Sequence, residues 1–404
     1  VGLSAACTPP PAAVEVTPWP GDRPEPGPSI VEPGVAHAFA APVAARRLWL
    51  PRLHGGAGDA PVPAAPSPPP PTAEPTAAPT AVPPVGAAGE LGCAGIAVRD
   101  GDRLVVDGVP VFFFGVNVHY LLDPEFPEER VDPLVAALAE LGVNTLRVWY
   151  FYNQDPDRFE RLLDVGRRHG VRFVVTLEDN VFKGIDWFFS SKDEDTYRPH
   201  LDRTVARFKD RPEILFWEVI NEPNCGDGRF DDDCQKRLRD WLAMASRRIK
   251  EVDACHVVST GMIGAGNMAN EQQNYRLIHR KDSIDIVSVH KRSTDAREAE
   301  VEFAAAEERP IFYGEIYDQA YDEDCRPLDD GRALEERAER IKGDLRQAID
   351  DGVDGYLLWD YAEGTITTTS GESRHYCSTF GYGRDDPVWS KLRRAGLPPA
   401  VPWR

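Results

Sequence analysis

The chain has no run approaching ~18 consecutive apolar residues, so no segment reads as a membrane-spanning helix. Positive charge is scarce: 46 Lys+Arg against 66 Asp+Glu leave a formal net charge of −20. That deficit excludes the cationic surface that neutralises nucleic-acid phosphates and the basic patch that docks on anionic lipid. The cysteines show neither CxxC nor a Cys/His spacing suited to zinc. No GxGxxG and no P-loop opens a strand–helix turn. No metal and no cofactor is expected.

Proline is abundant but unevenly spread. Before residue 85 lie 22 of the 36 prolines, and Pro61 to Pro84 reads PVPAAPSPPPPTAEPTAAPTAVPP. Such a stretch cannot pair its backbone regularly or bury a core, so residues 1–88 are expected to be a disordered, partly polyproline-II tether. Ala44–His54, which mixes apolar and basic residues, reads as an interruption of that linker. Near the start, Cys7 follows Leu3-Ser4-Ala5-Ala6, small residues similar to a bacterial lipoprotein cleavage box. A lipidated Cys7 would tether the chain to a membrane surface, and a secreted or cell-surface location is expected. Residues 89–404 have globular composition and form the expected folded domain, a monomer large enough to bury a substantial core.

Within that domain, short apolar runs alternate with longer amphipathic segments. Gly101–Phe113 begins as a β-hairpin with turns at Asp102 and Asp107-Gly108. Eight strand-like runs follow: Phe112–Val118, Thr145–Tyr150, Arg172–Leu177, Ile214–Ile220, His256–Thr260, Ile284–Val289, Pro310–Tyr313 and Gly355–Leu358. Helix-like stretches separate them, the weakest near Glu271–His279. Gly142, Gly170 and Gly352 stand where helices should end in a left-handed turn. The pattern predicts an α/β fold, a (β/α)8 TIM barrel with an N-terminal hairpin. Function then falls at the C-terminal strand ends.

Those ends carry chemistry. The fourth run continues Trp217-Glu218-Val219-Ile220-Asn221-Glu222-Pro223, and the seventh is followed by Gly314-Glu315. Two carboxylates on one rim can divide acid and nucleophile roles between them. Arg147, at the second strand's end, demands an anionic partner if buried, and a rim carboxylate is the natural one. His290 ends the sixth run and Trp359 follows the eighth. An indole there can stack on the C–H face of a sugar, and Tyr150, Tyr152, Tyr317 and Trp187 could extend the platform. Asn117 and His119 close the first strand. Asn144 is expected to serve a turn. The acidic loops 227–233 and 318–330 lack calcium-loop spacing and are expected to be solvated.

From Gly101 to Leu397 the chain resembles glycoside hydrolase family 5. The resemblance rests on Gly115-Val116-Asn117, Leu141 to Arg147, Trp217 to Pro223, His290, Glu315 and Trp359, and is strongest toward the β-mannanase branch. It implies a retaining enzyme, with Glu222 as acid/base and Glu315 as nucleophile. It further implies that Asn221 contacts the sugar 2-hydroxyl, that Arg147 supports Glu315, that His290 touches the nucleophile region or substrate, and that Trp359 floors the central subsite. The partner would be a polysaccharide or oligosaccharide, with β-mannan first and β-glucan second. Two departures stand out: Arg292 occupies the place of a Tyr two residues past His290, and the third strand ends in Leu177-Glu178-Asp179-Asn180. Tyr317 is a candidate to take over that Tyr's bond to Glu315. A tethered binding protein on an inactive barrel and a polysaccharide transglycosylase remain as alternatives. Setting Cys7 aside, six cysteines allow 15 connectivities. Their places on the barrel suggest Cys225–Cys234, Cys325–Cys377 and Cys93–Cys255.

Overall fold

The computed structural model describes residues 93–225, 232–265, 271–322, 326–376 and 378–393. The proline-rich segment, Cys7 and the Cys325–Cys377 pairing lie outside the described residues.

Eight parallel strands form one sheet: β1 Phe113–Asn117, β2 Thr145–Trp149, β3 Arg172–Thr176, β4 Ile214–Glu218, β5 Val257–Ser259, β6 Val287–Arg292, β7 Ile311–Tyr317 and β8 Gly355–Leu358. Their spatial order is β5-β4-β3-β2-β1-β8-β7-β6. The remaining seam is bridged where Asp285 and Ile286 N–H donate to Val258 O at 2.9 and 3.3 Å. The sheet therefore closes into the expected barrel. Helices alternate with the strands: α1 Val131–Glu140, α2 Pro156–His169, α3 Arg198–Phe208, α4 Asp232–Val252, α5 Glu271–His279, α6 Glu298–Ala306, α7 Arg332–Asp350 and α8 Pro387–Arg393.

Local chemistry explains the boundaries. In α2, Asp155 accepts a hydrogen bond from Asp157 N–H at 2.9 Å, Pro156 opens the first turn, and Gly170 ends it at φ 74°. The sixth strand begins three residues later than its apolar run, because Ile284 N–H bonds back to Lys281 O in a turn. Asn144 joins β1 to β2 by accepting from Phe114 N–H and donating to Phe112 O, as expected of a turn residue.

Strand alternation sorts the side chains. Phe113, Val174, Phe216, Ile286, Phe312 and Leu357 point inward and fill the lower barrel. Three short antiparallel strands, Ala97–Asp100, Arg103–Val106 and Val109–Pro110, precede the barrel, and their Ala97, Leu104 and Val106, with Val111 just after the third, pack into the same cluster and seal the bottom. Outward residues such as Leu146, Val148 and Val175 meet the helices in the larger core. Cys93 bonds Cys255 and Cys225 bonds Cys234, as the barrel positions suggested. The first closes a long loop below the barrel. The second clips the segment just after Glu222, each by about 2–5 kcal/mol.

Candidate active site

Arg147 organises the upper barrel. It is fully buried. Its guanidinium donates to Glu315 Oε1 at 2.6 Å, to Glu218 Oε1 at 2.9 and 2.5 Å, to Asn117 Oδ1 at 2.9 Å and to Asn221 Oδ1 at 2.7 Å. It also lies 4.3 Å from the centre of the Trp149 ring. A fixed planar fork is what lets one cation serve two carboxylates and two amides. Glu218 is stabilised further by Thr176 Oγ1 at 2.9 Å.

Glu222 lies four residues beyond β4, at φ 47°. A non-glycine residue in that region costs on the order of 1 kcal/mol and is held there by its surroundings. Glu222 N–H donates to Gly261 O at 2.9 Å, and its carbonyl accepts from the Asn180 and Asn224 amides. Gly261 must lack a side chain, since a Cβ there would sit 2.1 Å from Ile220 O.

Glu315 reaches the same space by a different device. Phe312 points inward, so simple alternation would send Gly314 inward and Glu315 outward. The register with β6 shifts between Tyr313 and Glu315. This bulge turns the carboxylate back into the barrel, opposite His290. Gly314 fits tightly, because a Cβ would meet His290 Nε2 at 2.9 Å.

His290 joins the two carboxylates. Its Nδ1 lies 2.9 Å from Glu222 Oε1 and 3.6 Å from Glu315 Oε1. One ligand-type atom from each of the three residues lies within 4.8 Å of the others. Nε2 has no hydrogen-bond partner among the described residues, which favours the proton on Nδ1. Burial pushes His290 down to about 4, so it is neutral at neutral pH. Burial raises Glu222 to about 8, and nearby Asp179 adds to it. Burial raises Glu315 less, to about 7, with His290 and the Arg147 cation pulling against it. Because His290 is neutral, the permanent charge of Arg147 is the dependable part of that pull.

The other rim residues divide. Trp359 is half-buried, stacked on His119 with centroids 5.8 Å apart and edge-on to Trp149 at 5.7 Å. His119 stays partly open, its Nδ1 3.4 Å from Asp360 Oδ2. Asn221 accepts from Arg147 through its amide oxygen and donates one amide hydrogen to Asp179 Oδ2 at 3.1 Å.

Three assignments change. Tyr150 is not at the rim: it follows inward Trp149, faces the helices, and stacks on Phe159 at 4.5 Å in the outer core. Asn117 is a positioning residue rather than a sugar ligand. Its amide donates to Gly314 O and Leu358 O, and its oxygen accepts from Arg147. Tyr317 stands in register with Arg292, whose guanidinium lies 5.9 Å from its ring centre. Its ring packs on Phe380, and no hydrogen bond joins it to Glu315 among the described residues. Sequence reasoning missed Glu218, Asp179, Thr176 and Trp149 as parts of the network. The period-two alternation from Arg147 and from Phe216 was the signal that could have found Trp149 and Glu218.

A family model described as GH family 5 beta-mannosidase-like matches residues 200–295. A probable mannan endo-1,4-beta-mannosidase A-2 from Aspergillus terreus is 24% identical over 343 residues, covering 71% of this chain and 82% of that protein. A probable mannan endo-1,4-beta-mannosidase F from Aspergillus flavus is 24% identical over 221 residues, covering 44% of this chain. There the match spans about half the relative's length, 46%. The crystal structure of the endo-1,4-beta-mannanase from Rhizomucor miehei shares the fold, with a TM-score of 0.58 and 18% identity, covering 74% of this chain and 97% of that one.

A closed (β/α)8 barrel holds two buried carboxylates together above its core, and with the similarity to mannan-cleaving hydrolases this indicates an O-glycosyl hydrolase. The chain's similarity to glycoside hydrolase family 5 rests on that match over residues 200–295 and on relatives 24% identical to it.

Proposed function

We infer that the protein is a retaining, endo-acting glycoside hydrolase of β-linked polysaccharide, with β-mannan as its first substrate and β-glucan as its second. The observation that carries this reading is the spacing of Glu222 and Glu315, with Arg147 bonded to Glu315 and not to Glu222. Retaining enzymes hold their carboxyl groups about 5–5.5 Å apart, leaving no room for a water between carboxylate and sugar.

In the first step Glu315 attacks the anomeric carbon. Glu222, kept protonated by burial, gives its proton to the departing glycosidic oxygen. The bond breaks and a glycosyl ester forms on Glu315. In the second step Glu222 takes a proton from water, the water attacks the same carbon, and Glu315 leaves. Asn221 has a second amide hydrogen to offer a ring hydroxyl, and Trp359 a face for the ring. Export is part of the same reading. Two disulfides favour an oxidising compartment, and no helix among the described residues is long and apolar enough to cross a membrane.

The test is a panel of mannan, cellulose, β-1,3-glucan and xylan, with products sized and the anomer followed by NMR. Internal cleavage of mannan with the β-anomer formed first is expected. An α-anomer first, or no cleavage of any polymer, would overturn the reading.

The pH profile is a separate prediction. Catalysis needs Glu315 ionised and Glu222 protonated. The value of kcat/KM should therefore rise as pH climbs through the ionisation of the pair's first member and fall through that of the second. Both are displaced upward by burial, so the bell should centre near neutral pH rather than in the ordinary carboxylate range. Glu222→Gln should abolish the alkaline limb. A profile that peaks near the ordinary Glu value would contradict this electrostatic account.

A further inference from the structure

Above the catalytic groups stands a cation that the reaction steps do not use. In β6, Val289 packs in the outer core and Lys291 reaches Asp344 Oδ1 on α7 at 2.6 Å, so His290 and Arg292 take the inner side of the barrel. Arg292 is the next inward position after His290, about 7 Å further along the strand. On β7, Ile316 packs in the outer core, which puts Tyr317 one inward step above Glu315. The two strands pair Tyr317 with Arg292.

Arg292 is exposed, and the nearby carboxylates are engaged elsewhere. Asp318 accepts from Arg340 at 2.7 and 3.2 Å and from the Ser293 hydroxyl at 2.8 Å. Asp295 accepts the Arg292 backbone N–H at 3.2 Å, and Arg297 Nη2 lies 3.7 Å from it. No carboxylate among the described residues forms an ion pair with the Arg292 guanidinium. The planar fork stands over Tyr317, whose ring is backed by Phe380. Burial raises the Tyr317 hydroxyl above its ordinary value, and Glu222 is among the charges that act on it. Arg292 and Tyr317 thus wall the space above the acid/base. Trp359 follows β8 and Arg292 ends β6, so the two flank Glu315 on β7 from opposite sides. If Trp359 faces the ring that Glu315 attacks, Arg292 faces the unit that leaves.

We propose that Arg292 recognises a carboxylate on the sugar unit that departs with the glycosidic oxygen, so that the preferred point of cleavage lies beside an acidic sugar. This rests on the reading of the protein as a polysaccharide hydrolase and deepens it by naming the charge of the substrate. A planar guanidinium grips a carboxylate through two parallel hydrogen bonds, whereas a neutral sugar leaves the fork without an anionic partner. The net charge of −20 opposes an acidic polymer at long range. Salt screens that repulsion beyond about 8–10 Å, while the fork acts in contact. The same acidic balance disfavours a carboxylate bound away from Arg292, so repulsion and attraction together fix its register.

The probes are mannan, and mannan in which a minor fraction of the C6 hydroxymethyl groups has been oxidised to carboxylates. Fragments of the oxidised polymer are separated and their end units identified. The departing unit becomes the new non-reducing end of its fragment. With wild type, carboxylate-bearing sugars should be enriched there by about tenfold over their share of the polymer, the worth of one charge-assisted contact. Arg292→Gln should abolish the enrichment. Arg292→Lys should keep part of it, since an ammonium meets a carboxylate only as a point charge. The enrichment is a ratio within one digest, so a variant that is merely less stable or less active leaves it unchanged. Added salt should lower it. No enrichment with wild type, enrichment at the new reducing end instead, or enrichment that survives Arg292→Gln would overturn the proposal. A wild type that cleaves neither preparation would overturn the mannan-hydrolase reading, and this inference with it, so the two failures can be told apart.

Discussion

Glu315→Ala is expected to lower kcat by about 10⁴-fold or more while leaving the fold intact. Loss of a nucleophile removes the covalent intermediate, and such losses exceed those of a general acid. The structure sharpens the expectation. Glu315 lies on a strand whose backbone is paired on both sides. Its carboxylate is a buried charge, so its removal leaves Arg147 still bonded to Glu218, Asn117 and Asn221. Thermal unfolding should therefore shift little. Added azide can occupy the vacated space and attack the anomeric carbon from that face, giving an α-glycosyl azide. Glu222→Ala should behave differently. Its loss should be small for a dinitrophenyl leaving group, which needs no proton. Azide would then attack the glycosyl ester and give the β-product. Residual turnover of Glu315→Ala above about one percent, or β-azide from it, would remove Glu315 from the nucleophile role.

Arg147→Met should damage both stability and catalysis. Glu218 would keep the Thr176 hydroxyl but lose its cation while still buried. Breaking one side of a buried ion pair costs about 3–5 kcal/mol. Chemical denaturation should show this as a lower midpoint with an unchanged slope. The pH profile should also move. Arg147 favours the ionised form of Glu315, so its loss raises that group's pKa further, and the acid limb of kcat/KM shifts to higher pH. The limb then approaches that of Glu222, and the fraction of enzyme with the correct protonation falls. Arg147→Lys should recover only part of the loss, because one ammonium cannot span both carboxylates in fork geometry. A variant with wild-type stability and an unmoved acid limb would show that the network is not what holds Glu315 ionised.

Much of the site was legible because barrels place function at strand ends. Runs of β-branched and aromatic residues marked six of the eight strands to within about two residues, within the usual uncertainty of element boundaries, and the seventh runs four residues past its apolar run, to Tyr317. The sixth was displaced by a turn that periodicity does not reveal. Asn221-Glu222 beside Pro223 announced itself, as did Arg147 on an otherwise apolar strand. Tyr150 was misplaced because aromatic character was weighed above strand parity. Asn117 was misplaced because a polar residue at a rim looks the same in sequence whether its amide meets a ligand or two backbone carbonyls. The role of Glu218 was hidden because its partner Arg147 is 71 residues away in sequence, on β2, with β3 lying between the two strands.

The sequence by itself determined the alternation of strands and helices, the two carboxylates and their order along the chain, and the acidic balance of −20. These are local or compositional properties, and hydrophobic period and turn chemistry suffice to set them. Only the tertiary structure decided which way Glu315 points. Parity along its strand would have turned the carboxylate toward the helices. A one-residue bulge at Gly314, possible because the pairing with β6 can shift there and because no Cβ blocks His290, brings it back to face Glu222. Register between neighbouring strands is a non-local agreement, and no single segment encodes it.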